Sequence, residues 1–333
     1  MAFQTGTTTS IENLLQTLST FLVANGWTQD FATTGDPGRI GFSKNGVFVA
    51  FQYTEATDNG VMAMYQSTSN DNSTSVWLST GDSGNGIASA VATQFDTQRC
   101  VNEFAGPHSN YWFFENDSSP AYIHVVVEVD AGRFRHFGFG EIDKIGDWVG
   151  GEYCYGHYWS QVTTFIDDPK ASSHRCGFDG AGVGGSANYN PTMRVDGHTG
   201  EPSAATIWSN MINNSSEGND RVGNARWSGL AGWRAGREWN AFAGYRISEA
   251  TAYTPLVPIP VEIANYDTVP DSFYRVGYQA DCRMVNIANL DPGQIISIAG
   301  DQWYFFPWVR KQFLLNNTEE SWNAGVAYKR VNA

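Results

Sequence analysis

Apolar positions near the N-terminus recur at helical spacing. Ile11, Leu14, Leu15, Leu18, Phe21 and Leu22 fall on one stripe of a helix over residues 11–25, with Ser10 as its N-cap and Asn25-Gly26 as its stop. Such a stripe must cover another apolar surface, most simply the sheet that follows.

Beyond the helix the period changes to two. Gly41–Tyr53 and Gly60–Gln66 read as strands, with Lys44-Asn45-Gly46 as a hairpin turn. Ser67–Gly86 is polar, broken only by Val76-Trp77-Leu78, and reads as a surface loop. Tyr111–Phe114, Tyr122–Val129 and Arg133–Phe139 are the next strands, the last two joined across Asp130-Ala131-Gly132. Ile123–Val129 is nearly all apolar or β-branched, so it is expected to be the most buried strand.

From Gly177 to Gly244 the chain is rich in Gly, Ala, Ser, Asn and Arg and has little periodicity, which marks an insertion. Pro255, Pro258 and Pro260 then fit an extended, non-central segment, because proline cannot donate to a ladder. Strands resume at Phe273–Tyr278, Ile295–Ala299, Gln302–Phe306 and Ala324–Lys329. The expected fold is mainly β: β-sandwich or jelly-roll-like sheets with an N-terminal amphipathic helix and long loop insertions. Residues 1–176 would hold the helix and a β core, 177–254 the Gly/Trp/Arg-rich insertion, and 255–333 a C-terminal β segment completing the core.

Composition agrees with this pattern. Aromatics are 14% of the chain and glycines number 35, residues that suit pleated half-buried surfaces and tight turns. Charged residues are 16%, below the roughly 25% of an average domain, as expected where other subunits cover the surface. A net charge of −14 argues against a nucleic-acid backbone as direct partner. Arg221, Arg226, Arg234 and Arg237 do interleave with Trp227, Trp233 and Trp239, a pattern compatible with base stacking, but arginines lying on aromatic faces at a fold or subunit contact is the reading adopted. The Thr-rich N-terminus lacks a basic region followed by an apolar run, and no stretch nears the ~20 apolar residues of a membrane span. Synthesis in a cytosol, with reduced cysteines and no membrane partner, is expected.

Three stretches together resemble a family of tailed-bacteriophage virion structural proteins. They are LLQTLSTFLVANGWT (14–28); AYIHVVVEVDAGRFRHFGFGEI (121–142) followed by GDWVGGEYCYG (146–156); and DPGQIISIAGDQWYFFPWVRK (291–311) closing with AGVAYKR (324–330). The resemblance implies a non-enzymatic virion component made in the bacterial host cytoplasm. It would sit in the neck or collar, or else in the tail or baseplate, with copies of itself and other virion proteins as partners and no cofactor. Capsid decoration and host-glycan binding are the alternatives.

Candidate chemistry is sparse. Cys154-x-x-His157 and His174-x-Cys176 bring four zinc-type ligands close in sequence, although the second pair is tighter than a usual knuckle. Separate packing of these residues is the preferred reading, and a Cys154–Cys176 disulfide is a third. Glu141, Asp143 and Asp147 contain carboxylates of the kind that glycoside hydrolysis needs, but in turn-like contexts where such groups are usually solvated. Trp148, Tyr153, Tyr155, Tyr158 and Trp159 can stack on sugars or fill a core. Residues 200–245, with Trp208, Arg226, Trp227, Trp233, Arg237 and Trp239, are expected to make subunit contacts, since exposed tryptophans in such number form an apolar patch that a monomer rarely keeps.

Overall fold

The helix forms where the apolar stripe places it. Ser10 Oγ accepts from Asn13 N at 3.0 Å, and the Glu55 carboxylate accepts from Ile11 N at 2.5 Å, so two orphan amides of the first turn are satisfied. The structure, a computed structural model, describes residues 2–56, 60–67, 70, 100–102, 104–116, 118–156, 158–160, 173–175, 192–195, 208–210, 256–265, 272–307, 310–311 and 324–330.

In chain order the elements are β1 (Ala2–Thr8), α1 (Ile11–Ala24), β2 (Thr28–Thr33), β3 (Gly38–Lys44), β4 (Val47–Thr54), β5 (Val61–Ser67), β6 (Cys100–Asn102), β7 (His108–Asn116), β8 (Tyr122–Asp130), β9 (Arg133–Glu141), β10 (Asp143–Lys144) and β11 (Gly150–Gly156). Then follow β12 (Tyr158–Ser160), β13 (Ser173–Arg175), β14 (Thr192–Val195), β15 (Trp208–Asn210), β16 (Val257–Asn265), β17 (Ser272–Asn286), β18 (Gln294–Ile298), β19 (Asp301–Pro307) and β20 (Ala324–Arg330). The fold is mainly β with one helix among the described residues, as the sequence pattern requires.

The strands build three facing layers. A central sheet runs β1-β7-β8-β9-β11-β14-β15, a second runs β2-β3-β4-β5-β6, and a third runs β10-β17-β20-β19-β18 with β16 on the free side of β17. The ladders are antiparallel throughout. β14 and β15 come from the expected insertion and extend the central sheet at β11; the rest of 177–254, like residues 71–86 of the expected polar loop, lies outside the described residues.

Alternation along the central strands sends side chains into two cores. Ile123, Val125 and Val127 of β8, with Phe113, Phe137 and Phe139, pack against the apolar stripe of α1 and against Phe42, Val49 and Phe51 of the second sheet. Tyr122 and Val126, with Phe114, Tyr153 and Tyr155, face Val276, Cys282, Tyr304, Phe306 and Tyr328 of the third sheet. A strand buried on both faces needs apolar residues at nearly every position, which is why β8 reads as an unbroken run. Each fully buried Phe or Val side chain contributes on the order of 1.5–3 kcal/mol.

A buried ion pair lies in the first core. Lys44 Nζ lies 3.2 Å from Glu115 Oε1, and the same oxygen accepts from Trp27 Nε1 at 3.0 Å. Lys44 also donates to Asn25 O at 2.7 Å, so the turn that ends α1 is tied to the central sheet.

Candidate functional site

Two histidines stand in the seam between the central and third sheets. His124 on β8 and His136 on β9 both follow the alternation into the second core and are fully buried. His124 Nε2 is 2.9 Å from Ala280 O, and its Nδ1 is 3.0 Å from the Tyr155 hydroxyl. His136 repeats the arrangement, with Nε2 2.9 Å from Pro307 O and Nδ1 2.9 Å from the Tyr328 hydroxyl. A carbonyl only accepts, so each Nε2 carries the ring proton and each Nδ1 accepts from a tyrosine. Burial lowers both histidines from 6.5 to about 4. His108 is held in the same way by Phe104 O and Thr8 Oγ1, each at 2.8 Å, and burial lowers it too. With both nitrogens engaged and the neutral form favoured, these rings work as hydrogen-bond posts between layers.

At the mouth of this seam an open cleft of about 450 Å³ lies between the turn after β7, β10, the start of β16 and the middle of β17. A break in β17 shapes it. Tyr278 pairs with both β10 and β16, ladder pairing to β20 begins only at Cys282, and Gln279, Ala280 and Asp281 between them have no ladder partner among the described strands. Asp281 has φ +45°, a conformation that non-glycine residues adopt rarely. The break is held from three sides, by His124 on Ala280 O, by Tyr122 Oη donating to Asp281 Oδ2 at 2.5 Å, and by Lys329 Nζ 3.7 Å from Asp281 Oδ1.

Gln279 lines this cleft and is fully buried, yet neither Nε2 nor Oε1 has a hydrogen-bond partner among the described residues. The neighbouring Tyr153 hydroxyl is likewise without one. Burial pushes the Tyr153 phenol well above its usual range; Gln279 pulls in the other direction, but the pair does not reach hydrogen-bond geometry.

The residues singled out from the sequence are scattered. Cys154 is a buried thiol on the α1 side of the central sheet. His174 stands in β13 opposite Trp159 of β12, in backbone register only, while His157 and Cys176 lie outside the described residues. Among the described residues no three His, Cys, Asp or Glu side chains form a metal-binding group. Glu141 ends β9 with its amide donating to Ala121 O at 2.8 Å, and Asp143 and Asp147 are exposed. Tyr153 and Tyr155 fill the second core and have no face for a sugar, which removes them from the stacking set. Trp148 is half-buried and donates to Val276 O at 3.3 Å. Trp208 is in β15, opposite Arg194, whereas Arg221, Arg226, Trp227, Trp233, Arg234, Arg237 and Trp239 lie outside the described residues.

Sequence reasoning singled out Asp143 but missed the other cleft residues and both seam histidines. A histidine at an inward position of an otherwise apolar strand was the available signal for the latter. No helix among the described residues is long and apolar enough to cross a membrane.

A last feature is the outer edge of the third sheet. β18 pairs only with β19 among the described strands, through a two-residue turn at Ala299 (φ +53°) and Gly300 (φ +93°). Ile295 and Ile298 on this edge strand are 47% and 40% exposed.

No family model matches this sequence, and no curated protein matches it either.

Proposed function

We propose that this chain is a non-enzymatic structural component of a tailed-bacteriophage virion, placed in the neck or collar or in the tail, and assembled in symmetric copies. The observation that carries this reading is the β18 edge. An edge strand presents unpaired N–H and C=O groups, and soluble proteins commonly blunt such edges with lysine, proline or cover. β18 instead shows two isoleucines to solvent and has no charged residue along Gln294–Ile298. The strand also belongs to the 291–311 stretch that carries the resemblance to virion proteins. Pairing with an edge of a neighbouring subunit would satisfy the backbone and cover the isoleucines together. The expected interface segment 200–245 belongs to the same proposal.

Sedimentation of the purified chain tests it. The wild type is expected to form discrete oligomers, and Ile295→Lys with Ile298→Lys to shift it to monomer with an unchanged circular dichroism spectrum. A wild type that stays monomeric at high concentration and is absent from purified particles would overturn the reading.

A further inference from the structure

We infer that β18 pairs with β1 of a second copy of this chain, and β1 with that copy's β18, about one two-fold axis. The inference rests on the reading of β18 as an assembly edge and names what fills it. β1 ends the central sheet and β18 ends the third, and among the described strands neither has a further neighbour. The Phe3 ring of β1 lies 5.0 Å from the Tyr304 ring of β19, and Tyr304 is the ladder partner of Ile295 in β18. The central layer therefore stops over β19, while the third layer runs on by one strand, about 4.8 Å. Ile295 shares the inward face of Tyr304, and on this overhang it is 47% exposed.

Strand direction fits a lap joint. Phe114 of β7 lies against Tyr304, and Trp112 of β7 against Phe306, so β7 runs opposite to β19. β1 is antiparallel to β7 and β18 to β19, which leaves β1 and β18 running in opposite directions. A two-fold rotation about an axis parallel to the strands, midway between the layers, exchanges the layers and keeps each strand's direction. The overhanging β18 of the second copy then enters the central layer as an antiparallel neighbour of β1, and its β1 meets β18 in the other layer. Height along the strands is also kept, so Phe3 comes beside the partner's Ile295 with both side chains turned toward the second core. The two Ile295 side chains meet at the axis. One isologous operation thus closes both edges in both copies and covers the exposed isoleucine.

Charge agrees with a self-contact. Ala2–Thr8 and Gln294–Ile298 carry no ionisable side chain on a chain of net charge −14, so the joint brings no like charges together. Other edge strands are blunted: β2 carries Asp30, and β16 carries Pro258, Pro260 and Glu262. Pairing β18 with β18 of another copy would extend the third layer alone and leave β1 and Ile295 uncovered.

Sedimentation and disulfide trapping of the full-length chain test the joint. The wild type is expected to be a dimer or a multiple of one. Thr5→Lys, an exposed change on β1, is expected to shift it to monomer as Ile295→Lys does, with an unchanged circular dichroism spectrum. Under mild oxidation a tagged Phe3→Cys chain mixed with an untagged Ile295→Cys chain is expected to form a disulfide-linked heterodimer, and this readout decides alone if Thr5→Lys fails to fold. A monomeric wild type, association that survives Thr5→Lys in a folded chain, or absence of the heterodimer would overturn the joint. Association lost in Ile295→Lys but kept in Thr5→Lys would sink the joint alone and leave β18 as an assembly edge, so the virion reading fails or stands separately.

Discussion

His136 and Tyr328 are 192 positions apart in sequence and meet across the seam between the central and third sheets, with Nδ1 2.9 Å from the phenol oxygen. The ring's other nitrogen reaches Pro307 O at 2.9 Å, so one imidazole joins β9 to both β19 and β20. His124 does the same work between β8, β11 and β17. Apolar contacts in the cores on either side are non-directional, whereas these directional bonds help fix the register of one layer on the other.

The first prediction follows from that bond. Tyr328→Phe leaves His136 Nδ1 buried without its donor and is expected to destabilise the protein by about 1–3 kcal/mol. Urea denaturation at neutral pH measures it, and a loss well under that range would mean that the hydroxyl is dispensable.

Acid should weaken the same seam. Burial holds His124 and His136 at about 4, against about 6.5 unfolded, so the unfolded chain binds more protons between these values. The neutral rings therefore contribute fully above pH 6.5, and their contribution falls as pH drops toward 4, by on the order of 3 kcal/mol per histidine. Asp281 opposes the shift of His124, and Arg135 adds to that of His136. Urea midpoints across pH 7.5 to 4.5 should fall, with a smaller slope in His136→Gln; an equal slope in that variant would assign the acid sensitivity elsewhere.

Lys44→Met is expected to cost about 3–5 kcal/mol, because it strips the cation from a Glu115 carboxylate buried in the first core. Adding Glu115→Leu should recover much of the loss, since a well-packed apolar pair can replace a buried ion pair. Thermal unfolding of the two variants separates these outcomes, and a double variant no better than the single would count against the ion pair as the source.

The β18–β19 turn offers a gain. Ala299 sits at φ +53°, where a Cβ costs roughly 1 kcal/mol and where asparagine is favoured in two-residue hairpins. Ala299→Asn should raise stability by about 0.5–1 kcal/mol, read as a higher melting temperature; a decrease would contradict this account of the turn.

Oxidative footprinting of the free chain and of purified particles addresses the 200–245 segment. Selective protection of Trp208, Trp227, Trp233 and Trp239 in the particle is expected, and equal reactivity in both states would remove this segment from the interface.

The amino-acid sequence by itself determined the local elements: the α1 stripe with its Ser10 cap, the Asn45-Gly46 turn, the β8–β9 hairpin and the strands of the C-terminal third. These depend on periodicity and turn chemistry within a few residues, which a chain displays directly. It did not reveal β1, whose Thr-rich stretch has no clear alternation and becomes a strand by pairing with β7 about a hundred positions away. Nor did it reveal that the central sheet is covered on both faces, that Tyr153 and Tyr155 point into a core, or that β17 breaks at Gln279–Asp281. Those outcomes depend on which distant strand lies opposite. Two-sided burial, the neutral seam histidines and the cleft exist only once β16, β17 and β20 have stacked on β8 and β9, and no local pattern encodes that juxtaposition.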